Sequence, residues 1–160
     1  MNKAVVFSFL ILGISTAWSQ ADSVCNPSFE AGLTDWQNFA NNGAVATFDT
    51  SAVAATEGAV GVVIDIQDVS VGTCVLSACI ADMYANQTYR MSFWAKSDNA
   101  VEVLATISKA SPGYNNYASA NVVLSSDWVQ YEISGSVADD LLSDVRLAKF
   151  KFLSEGTVMI

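Results

Sequence analysis

The sequence contains no histidine. That excludes Ser-His-Asp and Cys-His catalysis, histidine metal sites and histidine proton shuttles. Neither a GxSxG elbow nor any other nucleophile motif replaces them. Basic residues are few, seven Lys and Arg against sixteen Asp and Glu, for a net charge of −9. A chain so poor in cations cannot wrap a nucleic-acid backbone, so no nucleic-acid partner is expected. It suits neutral ligands and cations. Cysteine is limited to Cys25, Cys74 and Cys79, without CxxC spacing. Cys74 and Cys79 lie five apart in a stretch that reads as a strand. They would point to opposite faces and stand too far apart to bond. If an exported chain forms a bridge, Cys25 is one partner and one thiol is left over. The sequence does not choose the other partner.

Long apolar runs are also missing, except at the start. Lys3 supplies a positive head, Ala4 to Ala17 is apolar, and Ala17, Ser19 and Ala21 are small. Residues 1–20 therefore read as a secretory signal peptide, too short and wrongly flanked for a stable span. The chain is expected to be extracellular, with no membrane contact after cleavage. Cleavage removes Lys3 and no acid, leaving a net charge of −10. The remaining residues 21–160 suit one domain with a full core.

What is present is a series of short β-segments. Val60 to Ile66 (VGVVIDI) puts Val60, Val62, Ile64 and Ile66 on one face. Thr88 to Lys96 (TYRMSFWAK) puts Tyr89, Met91, Phe93 and Ala95 on one face and Arg90, Ser92, Trp94 and Lys96 on the other. Val101–Ile107, Asn121–Leu124, Trp128–Ser134, Val145–Leu153 and Thr157–Ile160 continue the set, while 79–85 reads as a helical turn or a loop. Even punctuation without helical periodicity predicts an all-β antiparallel β-sandwich, a jelly roll. The ending Gly156-Thr-Val-Met-Ile160 reads as the beginning of a strand. A sandwich without its closing strand would expose an unpaired edge, so the chain reads as a fragment or as the front of a longer polypeptide.

Five stretches occur in a telling order: NPSFEAGLTDW (26–36), ATEGAVGVVI (55–64), NQTYRMSFWAKS (86–97), SSDWVQYEISG (125–135) and VRLAKFKFLSEGTVMI (145–160). Together they resemble the carbohydrate-binding modules of the family four, nine, sixteen and twenty-two group. Two departures stand out. Ala59-Val60-Gly61 replaces a polar-aromatic-Ser pattern, and the closing Asp-Asp of the group would lie beyond Ile160. The resemblance implies a non-catalytic polysaccharide-binding module, monomeric or fused to a glycoside hydrolase, for a neutral glycan such as β-glucan or xylan. It also implies a structural calcium ion held by Glu30, with Glu57 and backbone carbonyls near Ser28 and Gly58. Calcium takes six to eight oxygens, so the two carboxylates would not suffice alone.

Sugar recognition needs flat apolar faces for pyranose rings and amides or carboxylates for hydroxyls. Ser111-Pro-Gly-Tyr-Asn-Asn-Tyr117 offers Tyr114, Asn115, Asn116 and Tyr117 in a turn-rich loop, which makes it the first candidate. Trp94, on one strand face with Arg90, is the second. Phe29 and Trp36 are expected in the core, and Trp128 is expected to pack against the opposite sheet. Two alternatives remain, an adhesion or structural sandwich that binds protein and a small polysaccharide-degrading enzyme. Sixteen acids form many pairs but no recognisable acid-base arrangement.

Overall fold

The computed structural model describes residues 24–56, 58–84, 87–137 and 142–160. The expected signal peptide and Glu57 lie outside these residues. Among the described residues no helix is long and apolar enough to cross a membrane.

The strands are β1 (Gln37–Asn41), β2 (Val45–Ser51), β3 (Gly61–Asp68), β4 (Thr73–Ser77), β5 (Ile80–Met83), β6 (Gln87–Ser97), β7 (Glu102–Lys109), β8 (Asn116–Val123), β9 (Val129–Val137), β10 (Leu142–Phe152) and β11 (Gly156–Met159). They form two antiparallel sheets. One has the order β1-β4-β10-β7-β8 with β5 also pairing β10, and the other β2-β3-β11-β6-β9. The fold is the expected all-β sandwich.

Alternation decides which residues meet between the sheets. In β3, Val62, Ile64 and Ile66 are buried, and in β6 so are Tyr89, Met91, Phe93 and Ala95. β10 contributes Phe150 and Phe152 from the opposite sheet. Phe93 meets Phe150 edge to face at 4.7 Å and stacks on Tyr131 at 5.5 Å, so aromatic contacts knit the layers together.

Two sequence expectations change and one strand reading is met. The segment read as a helical turn or loop over 79–85 contains strand β5, because Ile80 and Ala81 pair with Arg146 and Val145 of the long β10. The closing stretch is a strand, as read from the sequence. β11 lies between β3 and β6, and Ile160 exchanges backbone bonds of 2.8 and 3.0 Å with Val62. That close approach needs Gly61, where a Cβ would lie 2.2 Å from the Ala54 carbonyl oxygen and 2.8 Å from that of Ile160. Trp128 does not enter the core. It is half-buried, with Lys96 Nζ 5.1 Å from its ring centroid.

Cys25 pairs with Cys79, with Cα atoms 6.0 Å apart, and Cys74 is buried and free. Burial pushes the Cys74 thiol up to about 11, which makes it unreactive.

Candidate functional site

The site begins with the segment that follows Cys25. Asn26 organises it. Its side chain donates to the carbonyls of Gly32 (2.8 Å) and Thr34 (3.1 Å) and accepts from the Ala31 amide (3.2 Å). The Trp36 indole donates to the Asn26 carbonyl at 3.0 Å. Phe29 and Trp36 are buried as expected, their rings 4.7 Å apart. Phe29 sits at φ 59°, a left-handed conformation uncommon for a bulky residue, and packing on Trp36 helps to hold it there.

This turn forms one wall of an open cleft of about 310 Å³ on the outer face of the five-stranded sheet. Pro27, Ser28 and Phe29 line one side, Ala54 and Thr56 another, and Trp94 and Gln130 the sheet floor. The floor follows from strand register. β6 buries its odd-numbered residues, so Arg90, Ser92 and Trp94 face outward. Antiparallel pairing then sets Gln130 opposite Trp94, Glu132 opposite Ser92 and Ser134 opposite Arg90. Trp94 is 44% exposed. Arg90 and Glu132 form a 3.1 Å ion pair, which is exposed and worth less than about 1 kcal/mol. With Trp128 beside Lys96, the strip presents two indoles, an amide and an ion pair along two adjacent strands. It can stack pyranose faces and bond hydroxyls.

The 111–117 loop is shorter than expected. Asn116 and Tyr117 already belong to β8, and the Tyr117 ring packs against the core. Tyr114 is 61% exposed at φ 39°, with Asn115 and Asn116 exposed beside it. The Asn115 carbonyl accepts from the Lys109 amide at 2.9 Å and closes the loop. A Cβ on Gly135 would lie 2.2 Å from the Tyr117 carbonyl oxygen, so this end of β8 rests on β9 at Gly135. Gln130, opposite Trp94, lies five residues further along β9, or about 17 Å at the usual strand rise. Tyr114 and Trp94 therefore do not share a site, and Arg90, opposite Ser134, lies on the outward face with Trp94.

Glu30 behaves as a turn-holding group. Its Oε1 accepts from the amides of Ala59 (2.7 Å) and Val60 (3.4 Å). Gly58 makes room for it at φ 78°, where a Cβ would meet that oxygen. Ser28 lines the cleft, and its side chain and Glu30 are exposed. Among the described residues no three of His, Cys, Asp and Glu gather. Glu30 with the Ser28 and Gly58 carbonyls falls short of the oxygens that calcium requires, and Glu57 lies outside the described residues.

A family profile described as "Carbohydrate binding domain" matches residues 21–148. No curated protein matches the chain. Among solved structures, a CBM4 module is 20% identical, with a TM-score of 0.61 over 85% of this chain and 94% of that one. A family 16 carbohydrate-binding module is 15% identical, with a TM-score of 0.60 over 85% and 93%. The family 11 module of a cellulosomal cellulase from Clostridium thermocellum is 14% identical, with a TM-score of 0.57 over 85% and 88%. At these identities the structures establish a shared fold.

Proposed function

The chain belongs to the carbohydrate-binding domain family, and from that membership we propose that it is a secreted, non-catalytic module that holds a neutral polysaccharide against the Trp94 strip. The observation that carries this reading is an indole 44% exposed on a sheet face, lining a cleft opposite an amide. A large exposed aromatic beside convergent polar groups is how a protein meets a sugar ring, apolar on its faces and polar at its rim. β-Glucan and xylan fit such a strip because their hydroxyls need no charge partner.

Non-catalytic action agrees with the carboxylates nearby. Glu132 is tied to Arg90, and Glu30 to backbone amides. Glycosidic cleavage needs two carboxyls facing one bond, one of them able to donate a proton. Attachment to a glycoside hydrolase is part of the proposal, supported by the family 11 relative, which is a module of a cellulase. Affinity electrophoresis in gels containing xylan, β-glucan or neither tests the reading. Retardation by one neutral polymer, lost in Trp94→Ala and kept in Tyr114→Ala, is expected. Equal mobility in all gels refutes it.

A further inference from the structure

Beyond Trp94 the outward face of the five-stranded sheet carries a second cleft, of about 380 Å³, lined by Lys96, Ser97, Asp98, Ser126, Thr157 and Met159. Its place follows from β6. The even-numbered residues of that strand face outward, so Lys96 stands on the same face as Trp94, about 7 Å further along at the usual strand rise. On one side Met159 of β11 pairs with Lys96 and Val158 with Ser97. On the other side Val129 of β9 pairs with Ala95, so Trp128 comes level with Lys96.

The two charged groups of the cleft are turned apart. Asp98 is turned toward β11. Its amide donates to the Thr157 carbonyl at 3.1 Å, and its Oδ1 accepts from the Thr157 amide at 2.7 Å. Lys96 is turned toward β9, with Nζ 5.1 Å from the centroid of the Trp128 ring. Among the described residues no acid lies within ion-pair distance of Lys96. The indole face attracts the ammonium through its ring quadrupole and offers no oxygen to its three N–H donors. The hydroxyls of Ser126 and Thr157 likewise have no hydrogen-bond partner among the described residues. The cleft therefore holds one cation and two hydroxyls whose bonding capacity the fold does not use. The Trp94 cleft offers an indole and an amide and no such cation.

We propose that the Lys96 cleft takes an acidic sugar branch carried by the neutral chain that lies on Trp94, so that the preferred ligand is a xylan bearing single uronic acid units. The inference rests on the Trp94 reading given above. The backbone stacks on the indole, and the branch extends along β6 to the next outward residue. Lys96 meets its carboxylate, Ser126 and Thr157 meet its hydroxyls, and Met159 supplies an apolar wall. A volume of about 380 Å³ lies in the range of small-ligand sites and leaves room for a sugar ring. Of the two backbones that fit the strip, xylan is the one that bears uronic acid branches.

The charge around the cleft narrows the class further. The net negative charge of the chain is screened beyond about 8–10 Å at ordinary salt, so it does not keep one carboxylate from a lysine in contact with it. A polymer with an acid on every unit meets a different surface. Laid along both clefts, it would bring carboxylates up to Asp98, Glu132 and Glu30, which like-charge repulsion opposes. The face therefore suits a neutral backbone with isolated acids, and not a polyuronate.

The test is calorimetric titration with glucuronoxylan and with the same polymer after its carboxyl groups have been reduced to alcohols. Backbone and branches are the same in both, and only the charge differs. The parent is expected to bind the acidic form about three- to tenfold more tightly, by one partly screened charge-assisted contact. That preference should shrink as salt is raised. Both results are read without any variant. In Lys96→Met, which keeps an apolar stem beside Trp128, the two polymers should bind alike, and in Lys96→Arg the preference should remain. Equal affinity of the parent for both polymers overturns the proposal and leaves the Trp94 reading standing. A preference that survives in Lys96→Met overturns it as well. Polygalacturonate bound as tightly as glucuronoxylan would also overturn it, since the face would then collect any polyanion. If neither xylan binds, the Trp94 reading falls and this one falls with it.

Discussion

Removing the Cys25–Cys79 bridge tests how the N-terminal wall of the cleft is held. The perturbation is the double substitution Cys25→Ala/Cys79→Ala. The two cysteines are 54 residues apart in sequence. Closing a loop of that length removes enough entropy from the unfolded chain to stabilise the fold by about 4 kcal/mol at 25 °C. A single domain has a total of about 5–15 kcal/mol, so the variant should still fold with a thin margin. The Phe29–Trp36 contact and the Asn26 bonds would hold the turn in place without the bridge. Urea unfolding followed by tryptophan fluorescence should show a loss of about 2–4 kcal/mol and a larger m-value, because the unfolded state is freed. Glycan binding should be nearly unchanged, since those contacts keep Pro27, Ser28 and Phe29 at the cleft wall. A loss below about 1 kcal/mol would refute the reasoning and show that packing alone fixes the segment.

The remaining predictions concern single residues. Cys74 should not react with a thiol reagent at pH 8 in the native fold and should react fully in denaturant, because burial raises its thiol to about 11. Glu30→Ala should cost about 1–2 kcal/mol with or without calcium, since two backbone amides lose their acceptor. A loss that appears only in calcium-containing buffer would instead show that the carboxylate serves a cation. Lys149→Met should raise the melting temperature at pH 7. The Lys149 ammonium is lowered from its ordinary 10.5, so its cost to folding is full below the folded value. That cost fades as pH rises through the folded value, and the gain from the substitution should be smaller at pH 10. A melting temperature unchanged at both pH values would contradict this.

The strands that can be read from the sequence are those with a strict alternation of apolar and polar residues. β6 shows every other residue buried from Tyr89 to Ala95, so its inner and outer faces were both legible, and Trp94 with them. β1 (QNFAN) is nearly all exposed, so it does not alternate and cannot be read from the sequence, whereas β4 (TCVLS) lies in the stretch around Cys74 that reads as a strand but, nearly all buried, shows no inner and outer face. β5 was missed because it is four residues long and owes its conformation to pairing with distant β10. The ends of β8 had the same cause. Tyr117 lies in a polar, turn-like stretch, and only its contact with β9 makes it part of a strand. Glu30 enters the sequence reading only through the resemblance, as a calcium ligand, because the Ala59 and Val60 amides it accepts from lie about thirty residues away and only the fold brings them to it.

Calorimetric titration of the chain and of Trp94→Ala with the neutral polymer that retards the parent tests the central claim most directly. The account predicts that the parent binds with an affinity nearly independent of salt, because few ion pairs form. Trp94→Ala should lose about 1–3 kcal/mol of binding free energy, the usual worth of a covered aromatic side chain, with its melting temperature nearly unchanged. Trp94→Ala binding as tightly as the parent, while Tyr114→Ala fails to bind, would contradict the account and move the site to the β7–β8 loop.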